Sequence, residues 1–191
     1  MPMRRRFLIS AILLCLLAAL VAWFTHGIGF TAHATPSWVE ATLLTGARRW
    51  ATPTAAHTRS NPVQPTSEVL RAAMAHWADH CASCHGNDGT GTPLGRRLYP
   101  PAPDMRAAGT QRLTDGDLFY IIEHGVPWTG MPAWSNGTEG GEHDSWALVA
   151  LIRRLSALTQ QDLNEMERMN PKSPAQLEQD RQADDFLKGH D

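Results

Sequence analysis

The stretch that decides the fold reads Cys81-Ala82-Ser83-Cys84-His85. It brings two thiols and an imidazole together within little more than one helical turn. Thiols at this spacing can bond the two vinyl groups of a haem, and the adjacent histidine can ligate the iron from one face. The pattern therefore predicts one covalently bound haem c, with Cys81 and Cys84 as attachment points and His85 as an axial ligand.

Two other kinds of site use cysteine pairs, and the surrounding sequence disfavours both. A thioredoxin-like redox pair follows a buried strand and opens a helix, whereas here a helical pattern precedes the pair and Gly86 follows it. A structural zinc site needs four ligands, and the one further cysteine, Cys15, lies far away in an apolar run. Haem attachment is the interpretation that fits the flanking residues.

The second axial ligand is predicted to be Met131, in a Gly-Met-Pro stretch 46 residues after His85. A thioether is a soft ligand that suits haem iron in electron-transfer sites. Met105, in another proline-rich loop, and His124, near the end of a predicted helix, are the rival ligands. Two protein ligands leave no open position on the iron, which argues for electron transfer rather than oxygen chemistry.

The N-terminal segment has the pattern of a membrane span. Residues 7–24 contain one polar residue, Ser10, and follow three arginines at positions 4–6. Such a run extends over about 27 Å, close to the hydrocarbon thickness of a bilayer. Because arginines stay in the cytoplasm, the rest of the chain should be exported. We expect a transmembrane anchor; a cleaved signal peptide is the alternative, because residues 32–34 read Ala-His-Ala, a small-x-small cleavage pattern.

In the part of the chain that is expected to be exported, apolar residues recur at helical spacing. No segment shows the alternation of apolar and polar residues that is typical of a strand. Ser67 is the predicted N-cap of the helix before the motif, and Thr114 with Asp117 forms a capping box for a helix that Gly125 ends. Helices are expected over residues 37–50, 67–80, 114–125 and 143–158, with a further short one near 162–169. The predicted organisation is an anchor or signal peptide (1–30), a juxtamembrane helix and extended linker (31–66), a haem domain (67–159) and a polar C-terminal tail (160–191).

Several smaller expectations concern the surroundings of the haem. The His85 ring nitrogen that is not on the iron should donate to a backbone carbonyl; Pro100 or Pro101 could offer it, and the alternative is that these prolines only stiffen the loop. Four tryptophans are expected to pack in the core or line the haem: Trp77, Trp128, Trp134 and Trp146. The net charge is −2 and no basic stripe occurs, which argues against nucleic-acid binding.

With these features the chain resembles the class I, mono-haem cytochrome c family over about Glu68–Leu158. The resemblance rests on the attachment motif, on Met131, and on helices at both ends of the segment. Ala73 and Trp77 match the small and aromatic positions where the first helix of that family crosses its last. The resemblance implies an all-α haem domain of short helices and long loops, here preceded by one N-terminal transmembrane helix.

The resemblance also implies a function, that of an electron carrier rather than an enzyme. A membrane-anchored bacterial member would sit in the inner membrane by a single pass, with its haem domain in the periplasm. It would exchange single electrons with redox partner proteins in or on the membrane. One alternative is a permanent cytochrome subunit of a dehydrogenase or terminal oxidase complex. A less favoured one is a haem sensor or peroxidase-like protein in which Met131 leaves the iron.

Overall fold

A computed structural model describes residues 3–28, 31 and 34–187 of the chain. Within these ranges every regular element is helical, as expected. The α-helices are α1 (Met3–Ile28), α2 (Trp38–Ala51), α3 (Thr54–His57), α4 (Ser67–His76), α5 (Ala82–His85), α6 (Pro93–Arg96), α7 (Ala108–Gln111), α8 (Asp115–His124), α9 (Glu139–Arg154), α10 (Gln160–Met169) and α11 (Pro174–Leu187). The first two residues of the predicted cleavage site, positions 32 and 33, lie outside the described residues.

The chain divides into two compact units, Met1–Ala34 and Thr35–Asp191. The regular element of the first unit is α1. An 18-residue window within its Met3–Gly27 stretch has a mean hydropathy of 2.8, and the stretch is long and apolar enough to cross a membrane. The side chains described in α1 are all exposed. A helix that is apolar on every side and exposed is one that lipid can surround.

The core of the second unit forms where α4 crosses α9. Ala73 of α4 and Trp77, the residue that follows α4, are each 2% exposed. Val149 and Leu151 of α9 are fully buried. Truncating a side chain such as Leu151 to alanine costs about 2–5 kcal/mol in sites of this kind. The core therefore fixes the helix that leads into the Cys81 motif.

The helix before the motif differs from the sequence prediction at both ends. Thr66, not Ser67, is the N-cap, and its hydroxyl accepts a hydrogen bond from the amide of Val69. The chain does not leave the helix at residue 79 or 80. A π-helical turn, Trp77–Cys81, follows α4 and leads directly into α5. Helical structure therefore runs without a break from Ser67 to His85.

The segment predicted as an extended linker contains α3 and packs on the helical core. We call residues 53–63 the strap. A Cβ placed on Gly116 of α8 would lie 1.8 Å from the carbonyl oxygen of Ala56, so only glycine allows this approach. The guanidinium of Arg59 lies 5.1 Å from the ring centroid of Trp146. The strap thus covers the junction of α8 and α9.

The capping box at the start of α8 is confirmed, with Thr114 and Asp117 bonding each other's backbone amides, and Gly125 ends the helix at φ 65°. The last helix of the haem domain begins earlier than predicted. α9 starts at Glu139, because Thr138 provides an N-cap that accepts from the amide of Gly141. From the sequence alone, the glycines in this segment favour a loop rather than the first turn of a helix.

The C-terminal segment after residue 159 is largely helical. The expected short helix is present as α10, with a capping box formed by Thr159 and Asp162. Met166 of α10 is fully buried and belongs to the hydrophobic core. In the orientation that satisfies its neighbours, the amide of Asn170 donates to the Ala78 carbonyl at 3.1 Å. The start of the tail is therefore packed against the π-helical turn.

Candidate functional site

The three residues of the attachment motif lie on one face of a helix. Cys81 ends the π-helical turn, and Cys84 and His85 follow three and four residues later in α5. Residues at these spacings are neighbours on a helix surface. All three are half-buried. The π-turn widens the helix just before the motif, a feature that is frequent at functional sites.

The loop after the motif folds back over the carbonyl groups that end α5. Gly86 has a φ of 74° and turns the chain. The amide of Gly91 donates to the His85 carbonyl at 2.7 Å, and the amide of Thr92 donates to the Cys84 carbonyl at 3.0 Å. A Cβ on Gly95 would lie 2.1 Å from that Cys84 oxygen. The loop therefore holds the motif in place by backbone contacts that tolerate no side chain at residue 95.

His85 has the surroundings of a neutral imidazole. Burial lowers its pKa below the ordinary value, and the backbone carbonyl of Pro103 opposes part of that shift. Nδ1 is buried and has no hydrogen-bond partner of good geometry among the described residues. The proline carbonyl that affects the pKa of His85 is that of Pro103, rather than that of Pro100 or Pro101, and Nδ1 forms no hydrogen bond to a described residue. A proton on Nδ1 would leave the Nε2 lone pair free to ligate a metal.

The Cys81 thiol is unsuited to thiol–disulfide chemistry. Burial, with a smaller contribution from neighbouring Cys84, raises the pKa of Cys81 to about 12. Redox-active cysteines have lowered pKa values because the thiolate is the nucleophile. The environment therefore argues against the thioredoxin-like alternative and suits a cysteine whose sulfur is bonded to a cofactor.

Met131 lies in a segment pinned to the end of α8. The amide of Val126 donates to the Met131 carbonyl at 3.0 Å, and the amide of Trp134 donates to the Ile122 carbonyl at 3.0 Å. A Cβ on Gly125 would come within 2.7 Å of the Met131 carbonyl oxygen. Met131 itself is half-buried. Its backbone is thus fixed by the glycine that ends α8.

Contacts on both sides of Met131 bring its loop beside the attachment motif. A Cβ on Gly130 would lie 2.8 Å from Cδ1 of Leu98, in the loop that follows the motif. The ring of Trp134 lies 5.2 Å from that of His80, the residue before Cys81. These two contacts, neither of which is visible in the sequence, bring the predicted second ligand into the neighbourhood of the first.

The two rival ligands are engaged elsewhere. The amide of Met105 donates to the Gly89 carbonyl at 2.8 Å, and its side chain packs against the hydrophobic core. His124 is exposed, and its ring stacks on Tyr120 at 4.2 Å. His124 is thus a surface residue, whereas Met105 is half-buried like Met131 but has its side chain against the core.

The tryptophans divide into core and surface residues. Trp77 and Trp146 are each 2% exposed, so the expectation of core packing is confirmed for both. Trp134 is half-buried against the core. Trp128 does not pack in the core, because this residue is 98% exposed, and its place beside the haem stays a prediction. It lies in the loop before Met131 at a φ of 60°, a backbone conformation that non-glycine residues rarely adopt.

Comparison with known protein families gives one match. The family described as cytochrome C oxidase, cbb3-type, subunit III, matches residues 68–152, a span that includes the Cys81 motif and Met131. No curated protein matches the chain, and no solved structure does. The matched domain implies binding of haem c and electron transfer through it. Residues 68–152 of this chain are therefore a helical domain of the class I, mono-haem cytochrome c family.

Proposed function

We propose that the protein is a membrane-tethered, periplasmic electron carrier with one covalently bound haem c. Cys81 and Cys84 would hold the haem through thioethers, and His85 and Met131 would ligate its iron. The observation that carries this proposal is the pairing of a half-buried histidine, whose Nδ1 lacks a well-formed hydrogen bond, with a methionine loop fixed beside the same helix.

The donor set fits the group that it is proposed to hold. Two thiols, an imidazole and a thioether are the ligand types of a c-type haem with histidine and methionine axial ligands. Such a haem supplies a one-electron couple whose potential methionine ligation raises. Gly125 allows the close backbone approach that fixes Met131, and the Pro103 carbonyl opposes part of the lowering of the His85 pKa.

The membrane and periplasmic parts of the proposal rest on α1. Its apolar stretch can span a bilayer, and Arg4, Arg5 and Arg6 precede that stretch. Positive residues favour the cytoplasmic side, which would put the haem domain in the periplasm. Covalent haem attachment is consistent with export. Partners would be redox proteins in or on the same membrane, and contacts with them would be brief, as in other electron-transfer encounters.

A second candidate function is that of a permanent oxidase subunit. The observation in its favour is the description of the matching family, which names subunit III of a cbb3-type cytochrome c oxidase. Mild solubilisation of native membranes followed by size-exclusion chromatography separates the two candidates. A stoichiometric partner complex supports the subunit, whereas a chain that elutes alone with its haem supports the carrier.

Haem attachment is tested by producing the full chain together with a c-type maturation system. Haem should stay bound to the wild-type chain on a denaturing gel, and the double variant Cys81→Ala with Cys84→Ala should lose it. Cys15→Ser is the matched control, because Cys15 is an exposed cysteine of α1 outside the motif. Haem retention by the double variant would overturn the proposed attachment.

A further inference from the structure

Helix α2 presents its apolar side chains to the outside. All fourteen of its residues are described, and none is buried. Val39, Leu43 and Trp50 are 44%, 66% and 89% exposed. Their spacing of four and seven residues puts them on one face of the helix. The result is an amphipathic helix whose apolar face has no protein partner within the described chain.

A different side of α2 is attached to the domain. The hydroxyl of Tyr99 donates to Glu40 at 2.6 Å. Glu40 and Arg48, about two helical turns apart, are the two half-buried residues of α2. A surface helix of a soluble protein buries its apolar stripe and exposes its charges. In α2 the apolar stripe is exposed instead. We therefore expect a non-aqueous environment other than the core of this domain to cover it.

The position of α2 in the chain identifies that environment. α1 ends at Ile28 and α2 begins at Trp38, and ten residue steps span at most about 35 Å. If α1 crosses a bilayer, α2 cannot move far from its surface. Trp38 and Trp50 stand near the two ends of α2 and are 80% and 89% exposed. Tryptophan rings favour the headgroup level of membranes.

The charge of α2 fits the same environment. Arg49 is exposed in the last turn of α2, beside the apolar stripe, and arginines in such positions attract anionic phospholipid headgroups. We propose that α2 lies in the interfacial layer of the bilayer, with Val39, Leu43 and Trp50 inserted below the headgroups. This inference rests on the proposed function, in which α1 is the membrane anchor.

An interfacial α2 would orient the cytochrome domain. Glu40 of α2 binds Tyr99, and the neighbouring Leu98 contacts Gly130, the residue before Met131. This series of contacts connects the helix to the loop of the proposed iron ligand. Docking α2 on the bilayer therefore restricts which side of the domain faces membrane-bound redox partners.

The test uses nitroxide labels on the full-length haem protein in vesicles of phosphatidylethanolamine and phosphatidylglycerol. One label replaces Leu43 (Leu43→Cys, with Cys15→Ser). The matched control replaces Thr45 (Thr45→Cys, with Cys15→Ser), an exposed residue about 200° further around α2. Collisions with oxygen, which concentrates in lipid, are compared with collisions with a water-soluble nickel complex.

The inference predicts that oxygen collides more often than the nickel complex with the label at 43, and less often with the label at 45. Equal access of the nickel complex to both labels would overturn it, because α2 would then lie in water. A label at 43 shielded from both reagents would also overturn it, because protein would then cover the stripe.

A third label, on native Cys15 of α1, separates failure of this inference from failure of the anchor. If the label on Cys15 lies in lipid while the label at 43 lies in water, the anchor stands and the interfacial helix is wrong. If the mature chain lacks residue 15 by mass, or its label is open to the nickel complex, the proposed anchoring itself fails.

Discussion

The indole Nε1 of Trp77 donates a hydrogen bond to the carbonyl of Gly86 at 2.9 Å. Trp77 begins the π-helical turn before the motif, and Gly86 is the first residue after it. The indole ring also lies 5.8 Å from the ring of His85. One buried side chain therefore connects the beginning of the proposed haem-binding segment to its end, and packs near the histidine between them.

Replacing Trp77 by phenylalanine should destabilise the haem protein by about 1–3 kcal/mol, because the Gly86 carbonyl loses its donor and the smaller ring leaves space in the core. Urea unfolding followed by circular dichroism measures the change. Trp38→Phe is the control, since Trp38 is 80% exposed. Equal midpoints for the two variants would show that the indole hydrogen bond does not brace the motif.

Gly95→Ala should strongly reduce the yield of folded haem protein. The new Cβ would lie 2.1 Å from the Cys84 carbonyl oxygen, and backbone atoms cannot yield as a side chain can. We expect a cost of about 3 kcal/mol. Gly109→Ala is the matched control, because a Cβ there meets nothing within 4 Å. Wild-type stability of the Gly95 variant, measured by urea unfolding, would contradict the close contact.

The strap is tested by Gly116→Ala, which would put a Cβ 1.8 Å from the Ala56 carbonyl oxygen. Residues 53–63 should detach from α8, lowering the free energy of unfolding by about 2–3 kcal/mol and making the strap sensitive to protease. In the control, Gly46→Ala, a Cβ meets nothing within 4 Å, and alanine should slightly favour α2. Unchanged cleavage of the Gly116 variant would mean that the strap is not held there.

The capping carboxylate Asp117 should make stability depend on pH. Burial alone would raise its pKa, but hydrogen bonds from Thr114 and His57 outweigh that effect, and the net shift is downward. A carboxylate with a lowered pKa stabilises the fold above its unfolded-state pKa, about 3.9 for aspartate, and loses this contribution as pH falls.

Asp117→Asn should therefore be less stable than wild type at pH 7, by about 1 kcal/mol, and the difference should shrink as the pH is lowered below about 4. Thermal unfolding across this pH range provides the measurement, with the exposed Glu167→Gln as control. A difference that stays constant with pH would assign the effect to shape rather than to charge.

The sequence predicts those parts of the structure whose signals are local. The spacing of Cys81, Cys84 and His85, and the capping box of Thr114 and Asp117, depend on residues within one helical turn of each other. The helical pattern before the motif likewise depends on neighbouring apolar residues.

The features that sequence reasoning missed depend on contacts between distant segments. Gly116 gives no sign in the sequence that Ala56 packs against it, so the sequence predicts a linker where the strap lies. The glycines at 140 and 141 masked the Thr138 N-cap of α9. The residue type of Trp128 favours packing in the core or against the haem, yet it is 98% exposed and takes no part in the core.

The central claim, that His85 and Met131 are the iron ligands, is tested most directly by absorption spectra of the purified haem protein. Wild type should show the far-red band of an iron–thioether bond in the oxidised state. Met131→Ala should lose that band and have a lower reduction potential, while the control Met105→Leu should keep both. If wild type lacks the band, or Met131→Ala retains it, Met131 is not the ligand. Rapid carbon monoxide binding by reduced wild type would point to a sensor or enzyme instead.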